Sequence, residues 1–72
     1  MDAQTLAVNL PASIVYVSGS VNGVAYTWTN TGENRWEAVV ARSPNEIYVV
    51  VLTLINEKGY SAPLSLTCFI KP

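Results

Sequence analysis

Histidine is absent from this 72-residue sequence, so the commonest general base and metal ligand is missing. The carboxylates are Asp2, Glu33, Glu37, Glu46 and Glu57. Paired acid–base catalysis needs two carboxyl groups held across one scissile bond. No two of these five sit at a spacing that suggests such a pair. Four fall in loops, turns or the terminus, where a solvated surface role is the default. Cys68 is the single cysteine. A reactive thiol needs a neighbour that lowers its pKa, and nothing beside Cys68 does so. Between Leu66 and Ile70 it reads as a small buried hydrophobe. The expectation is no catalytic site, no cofactor and no metal, and therefore not an enzyme.

Binding chemistry has more candidates. Trp28 and Trp36 could stack on a sugar, but both fall on the inward face of their strands, where core packing is the simpler role. Tyr16, Tyr60 and Phe69 are better placed as exposed aromatics. A sugar platform would need two or three of them coplanar. Asn30, Thr31, Gly32, Glu33 and Asn34 form a polar loop that could hold a ligand, with Tyr60 as an accessory. A solvated connector is the plainer reading of that loop.

The elements that must position these residues follow from the pattern. The longest apolar run, Ile47 to Ile55, carries one hydroxyl and no charge, and its β-branched residues favour a pleated strand. At roughly 3.3 Å per residue, nine residues span about 30 Å, so the strand is central and paired on both edges. Asn56-Glu57-Lys58-Gly59 ends it in a turn. Upstream, Asn22-Gly23 sits between two alternating runs and suits the type I′ turn of a two-residue hairpin. That turn sets a register: Val21 faces Val24, Gly19 faces Tyr26 and Val17 faces Trp28, with Val15 on the same face. Tyr26 can then cover the backbone that Gly19 leaves bare. Thr5 to Leu10 makes a first strand stopped at Pro11. Arg35 to Ala41 alternates with Trp36, Ala38 and Val40 inward. Ser43-Pro44-Asn45-Glu46 is a turn with proline at its second position. Ala62 to Ile70 is the last strand, with Leu64, Leu66, Cys68 and Ile70 on one face.

Six alternating runs, turn chemistry in every gap and no helical period predict an all-β fold, an antiparallel sandwich of about six or seven strands. The expected core is Val17, Trp28, Trp36, Tyr48, Val50, Leu52, Leu54, Leu64 and Leu66. Residues 1–72 form one domain, with 1–4 frayed. A chain this short buries only about 60% of its unfolded surface. Half of the residues are apolar and 12% are charged, against about 25% in an average domain. That composition excludes disorder and hints at contact with another surface. The net charge is −1 with scattered lysines and arginines, so no nucleic-acid partner is expected. No run of 18 apolar residues suggests membrane insertion, and no signal peptide is evident. One cysteine excludes an internal disulfide.

The stretch Tyr48-x-Val50-x-Leu52-x-Leu54-x-Asn56-x-x-Gly59-x-Ser61-x-Pro63-x-Ser65 resembles the last two strands of fibronectin type III domains. It is equally similar to bacterial and phage immunoglobulin-like modules, as is the order Trp28, Gly32, Trp36. The resemblance covers roughly residues 14 to 70 and implies a small immunoglobulin-like sandwich. It places Tyr48, Val50, Leu52 and Leu54 in the core. It also implies a spacer or docking role without catalysis, at a bacterial cell surface or in a phage tail. The chain is shorter than such modules, so a strand or long loop is missing. Asn56 stands where many of them carry aspartate, which argues against a calcium role.

One face departs from the usual pattern. The outward positions of the central strand hold Ile47, Val49, Val51, Thr53 and Ile55. The four apolar side chains, Ile47, Val49, Val51 and Ile55, form a candidate interface for a protein partner, a neighbouring domain or a weak homo-oligomer. The alternative is that the chain curls tightly enough to cover them itself. Two function classes therefore stand: a structural and interaction module, and a carbohydrate-binding module using exposed aromatics.

Overall fold

The computed structural model describes residues 3–69. They form seven strands and, among the described residues, no helix. In chain order these are β1 (Ala3–Asn9), β2 (Ile14–Val21), β3 (Val24–Thr27), β4 (Thr29–Asn30), β5 (Arg35–Ala41), β6 (Ile47–Asn56) and β7 (Ser61–Phe69). Two antiparallel sheets result, with strand orders β1-β5-β4 and β3-β2-β6-β7. The all-β sandwich expected from the sequence is the observed architecture.

β6 is central, as its length and composition require, and pairs with β2 on one side and β7 on the other. Its pleat sends Tyr48, Val50, Leu52 and Leu54 into the space between the sheets, where each is buried. Val17 and Val21 of β2 join them from the same sheet. Leu6, Trp36, Ala38 and Val40 arrive from the three-stranded sheet, and Trp28 from the crossing between sheets. Burial of this cluster is the main stabilising term, at roughly 1.5–3 kcal/mol for each large side chain.

The hairpin has the register its turn dictates. Val21 pairs with Val24, and Gly19 with Tyr26. Asn22 and Gly23 have φ of 52° and 84°, the positive pair that a type I′ turn needs. The ladder ends at Ser18–Thr27, one pair short of Val17 and Trp28. Trp28 turns into the core there, and the chain changes sheets.

Several expectations need correction. Ala3 and Gln4 are not frayed: they pair with Ala41 and Val40. Val15 does not share the inward face of Val17. A β-bulge between Ile14 and Tyr16 leaves it unpaired and exposed, and Ile14 packs on the core instead. Val24 keeps its partner but is exposed, because it sits at the hairpin tip on an edge strand. Asn30 belongs to the short strand β4 rather than to the loop. Leu64, Leu66 and Cys68 face inward but are only half-buried, because β7 is the last strand of its sheet. The inward placement of Ile70 and the fraying of Met1 and Asp2 lie outside the described residues.

Tyrosine hydroxyls fasten the end of β5. Tyr26 Oη accepts the Ala41 N–H at 3.1 Å, and the buried Tyr48 Oη accepts the Ser43 N–H at 3.0 Å. Ser43 is itself buried, so its N–H would otherwise be unpaired away from water. The turn that follows has the expected form, with the Glu46 N–H donating to the Ser43 carbonyl at 3.1 Å. Among the described side chains, Trp28 Nε1 is buried with no acceptor.

Two substitutions test this packing. A Cβ on Gly19 would lie 2.2 Å from the Val51 carbonyl oxygen and 2.7 Å from Leu52 Cδ2. Backbone must then move, so Gly19→Ala should destabilise by about 1–3 kcal/mol in denaturant unfolding. An unchanged midpoint would disprove the close approach. Tyr48→Phe keeps the ring and removes the acceptor of the buried Ser43 N–H. A loss of about 1–3 kcal/mol is expected. A loss within error of zero would show that this bond contributes nothing.

Candidate functional site

The four residues of the candidate interface lie on the outer face of the four-stranded sheet. β6 must send its odd-numbered side chains there because its even-numbered ones fill the core. Val49 and Val51 are 46% and 48% exposed. Ile47 and Ile55, at the strand ends, are half-buried. The second sheet packs on the inner face, and among the described residues nothing curls over Val49 and Val51.

The neighbours on this face are given by the register. Val51 lies between Ser20 of β2 and Ser65 of β7, and Thr53 lies between Ser18 and Pro63. Val49 has Thr67 beside it. Ala25 and Thr27 of β3 continue the face past Ser20 and Ser18. None of the positions that the four strands direct outward carries a charge. The described charges sit on β5 and in the turns and loops. The result is a flat apolar stripe framed by hydroxyls.

Exposed aromatics mark the two ends of the stripe. Tyr16 pairs with Ile55, and Ser61, which follows Tyr60, pairs with Ile55 from the other side. Phe69 pairs with Ile47. All three rings are more than half exposed. Eight residues of strand separate Ile47 from Ile55, or about 27 Å. Phe69 is thus remote from the two tyrosines, and the three aromatics do not form one platform.

The candidate ligand loop is partly used up by its own turn. Asn30 Nδ2 donates to the Arg35 carbonyl at 3.2 Å, and the Thr31 N–H donates to the same oxygen at 2.9 Å. Glu33 and Asn34 are exposed. The Leu10 N–H reaches the Asn34 carbonyl at 2.8 Å, and the Glu57 N–H reaches the Ser13 carbonyl at 2.9 Å. The β1–β2, β4–β5 and β6–β7 connections therefore gather at one end of the sandwich. Asn30, Thr31, Glu33, Asn34 and Tyr60 are brought to that end together.

A shallow cleft of about 490 Å³ lies where the chain passes between sheets, lined by Thr27, Thr29, Thr31, Glu37, Ala38 and Val39. Sequence alternation does not single this cleft out, and no aromatic ring lines it. Arg35 Nε donates to Glu37 Oε2 at 2.5 Å. That hydrogen bond, with the guanidinium charge and the Thr31 hydroxyl, holds the Glu37 carboxyl below its ordinary value of 4.5 against the opposing effect of burial.

Two asparagines have roles that composition did not reveal. Asn22 Oδ1 accepts the Val49 N–H at 2.8 Å while its Nδ2 donates to the Ile47 carbonyl at 3.2 Å, tying the hairpin tip to β6. Asn56 Oδ1 accepts the N–H groups of Lys58 and Tyr60 at 2.9 and 3.0 Å. Its oxygen closes the turn before Gly59, which has φ of 88°. Among the described residues no group of three metal-ligating side chains converges.

A lowered carboxyl pKa contributes stability that is present above the ordinary value and is lost as pH falls through the lowered one. Glu37 should accordingly titrate below 4.5 in carboxyl-detected NMR. Arg35→Gln should raise that midpoint toward the ordinary value. Equal midpoints in the two proteins would show that the pair is not formed in solution. Comparisons with family models, with curated proteins and with solved structures return no match for this chain.

Proposed function

We propose that this chain is a non-catalytic structural and interaction module that docks through the outer face of its four-stranded sheet. The observation that carries the reading is the uncharged face itself. Val49 and Val51 stand about half exposed at the centre of four paired strands. Leaving such side chains in water forgoes part of the roughly 1.5–3 kcal/mol that each gains on burial. A surface lacking charge at its centre matches the inner part of protein interfaces.

Two features support an immunoglobulin-like identity. The pairings β1-β5-β4 and β3-β2-β6-β7 correspond to the immunoglobulin sheets if the first strand of that fold is missing and one extra strand is added beside the third. The Tyr48 hydroxyl, near the start of β6, binds backbone five residues upstream, as the tyrosine corner of that fold does. With the resemblance of the last two strands, this favours a spacer or docking domain in a bacterial surface or phage-tail protein. A carbohydrate-binding role is the second class, and the 27 Å split of the aromatics weighs against it.

Val49→Thr with Val51→Thr preserves strand propensity and removes apolar surface from the stripe. Self-association measured by sedimentation equilibrium should weaken about tenfold, equivalent to ~1.4 kcal/mol. The melting transition should move little, since surface substitutions usually stay within about 0.5 kcal/mol. Unfolding of the double variant would place these valines in the chain's own core and end the docking reading.

A further inference from the structure

The outer edge of β7 has a feature independent of the face. Both backbone groups of Val49 face the β2 side: its carbonyl accepts the Asn22 N–H at 2.9 Å, and its own N–H donates to the side-chain Oδ1 of Asn22. Backbone groups of successive residues alternate in direction, so the even-numbered residues of β6 bond to β7. Their partners are Ala62, Leu64, Leu66 and Cys68. The remaining residues of β7, Ser61, Pro63, Ser65, Thr67 and Phe69, then direct their backbone groups away from β6. Pro63 fits this assignment, since it has no N–H to offer the ladder. β7 is the last strand of its sheet, so among the described residues this row is unpaired. Among the described residues of the strand none is charged, which is unusual for an exposed edge.

The inner side of the same strand is unfinished too. Leu64, Leu66 and Cys68 are half-buried, whereas the inward residues of β6 beside them, Leu52, Val50 and Tyr48, are 1%, 0% and 1% exposed. β1 is also an edge strand, but its inward Leu6 is already 3% exposed. A new strand would therefore gain more at β7 than at β1. A row of free N–H and C=O groups calls for an extended backbone as its occupant, with apolar side chains at alternate positions.

We propose that this occupant is β7 of a second copy of the chain, antiparallel about a twofold axis at Ser65. Ser65 is the midpoint of Ser61–Phe69. The axis sets Ser65 against its own copy, Pro63 against Thr67, and Ser61 against Phe69. Five facing pairs of this kind supply ten hydrogen bonds, less one for the missing N–H of Pro63 in each copy, leaving eight. On the inner side Leu64 meets Leu66 and Ala62 meets Cys68, so the half-buried residues close over one another. An axis at Thr67 would supply only six such bonds from the described strand and leave Leu64 uncovered by β7. Two four-stranded sheets become one of eight strands, and the uncharged face doubles in width. One strand pair buries less than the roughly 1,200 Å² of a standard interface, so the dimer is a weak, reversible one.

Thiol cross-linking reads the register directly. At a hydrogen-bonded pair the Cα atoms are about 5.5 Å apart, within disulfide range. In a Cys68→Ser background, Ser65→Cys should oxidise to a covalent dimer. Ser61→Cys should not, since the two copies of residue 61 lie about 27 Å apart. Ser65→Pro in the natural chain removes only an outward N–H and should lower association by at least fivefold in sedimentation equilibrium, with circular dichroism showing the fold retained. The valine-to-threonine double variant leaves the edge intact, so Ser65→Cys should cross-link equally well in it. Loss of face docking and loss of edge pairing are thereby read separately. Equal cross-linking at residues 61 and 65, or a natural chain that stays monomeric at millimolar concentration, would overturn the proposal.

Discussion

The pleat of β6 is the constraint on which the rest depends. A strand whose even-numbered residues are Tyr, Val, Leu and Leu must turn its odd-numbered ones to the opposite side. One residue of slip would exchange the two sets. The register is pinned at both flanks. On the β2 side the positive-φ pair at Asn22 and Gly23 fixes the hairpin, and the Asn22 side chain binds Ile47 and Val49. On the β7 side Asn56 Oδ1 closes the turn by accepting two backbone N–H groups, those of Lys58 and Tyr60. A single apolar strand thus acquires a defined inside and outside from two asparagines at its ends.

A small sandwich has few residues to spare for satisfying backbone groups where strands stop. Side chains take that task here. Tyr26 and Tyr48 receive the N–H groups of Ala41 and Ser43 just as β5 leaves its sheet. The same rings bury apolar surface, so each contributes packing and a hydrogen bond at once. Gly19 belongs to this economy. Its missing side chain lets β2 approach Val51 and Leu52 of β6 opposite the pairing with Tyr26.

Much of this was legible in the sequence because alternation and turn chemistry agree. The Asn-Gly dipeptide fixed the pairing of Gly19 with Tyr26, and the run from Arg35 to Ala41 matched β5 end to end. What escaped had physical causes that period-2 reasoning does not contain. A bulge adds a residue without changing composition, so alternation alone puts Val15 on the wrong face. Half-burial of Leu64 and Leu66 depends on which strand is last in the sheet, and alternation is silent about sheet order. The exposed apolar stripe was legible because Val49 and Val51 stand where the alternation calls for a polar residue. The gathering of Asn30, Thr31, Glu33, Asn34 and Tyr60 at one end depends on long-range hydrogen bonds through Leu10, Ser13 and Glu57. Nothing local encodes those.

The composition of the outer face also bears on how firmly it would hold a partner. An obligate interface resembles a core cut in half and is broadly apolar. Here the apolar residues form one strand-wide stripe, and on both sides it meets Ser18, Ser20, Ser65 and Thr67. Hydroxyls hydrogen-bond to water when the face is free and to a partner when it is covered, so neither state is heavily penalised. The scarcity of charge removes the desolvation cost that would oppose docking. It also removes the strong field that would speed encounter or select among partners. Such a surface suits an association maintained by covalent linkage or by repetition, where effective concentration offsets modest affinity. That is the situation of a domain strung between others or arrayed in many copies. The physical character of the face is in keeping with the docking role proposed for it.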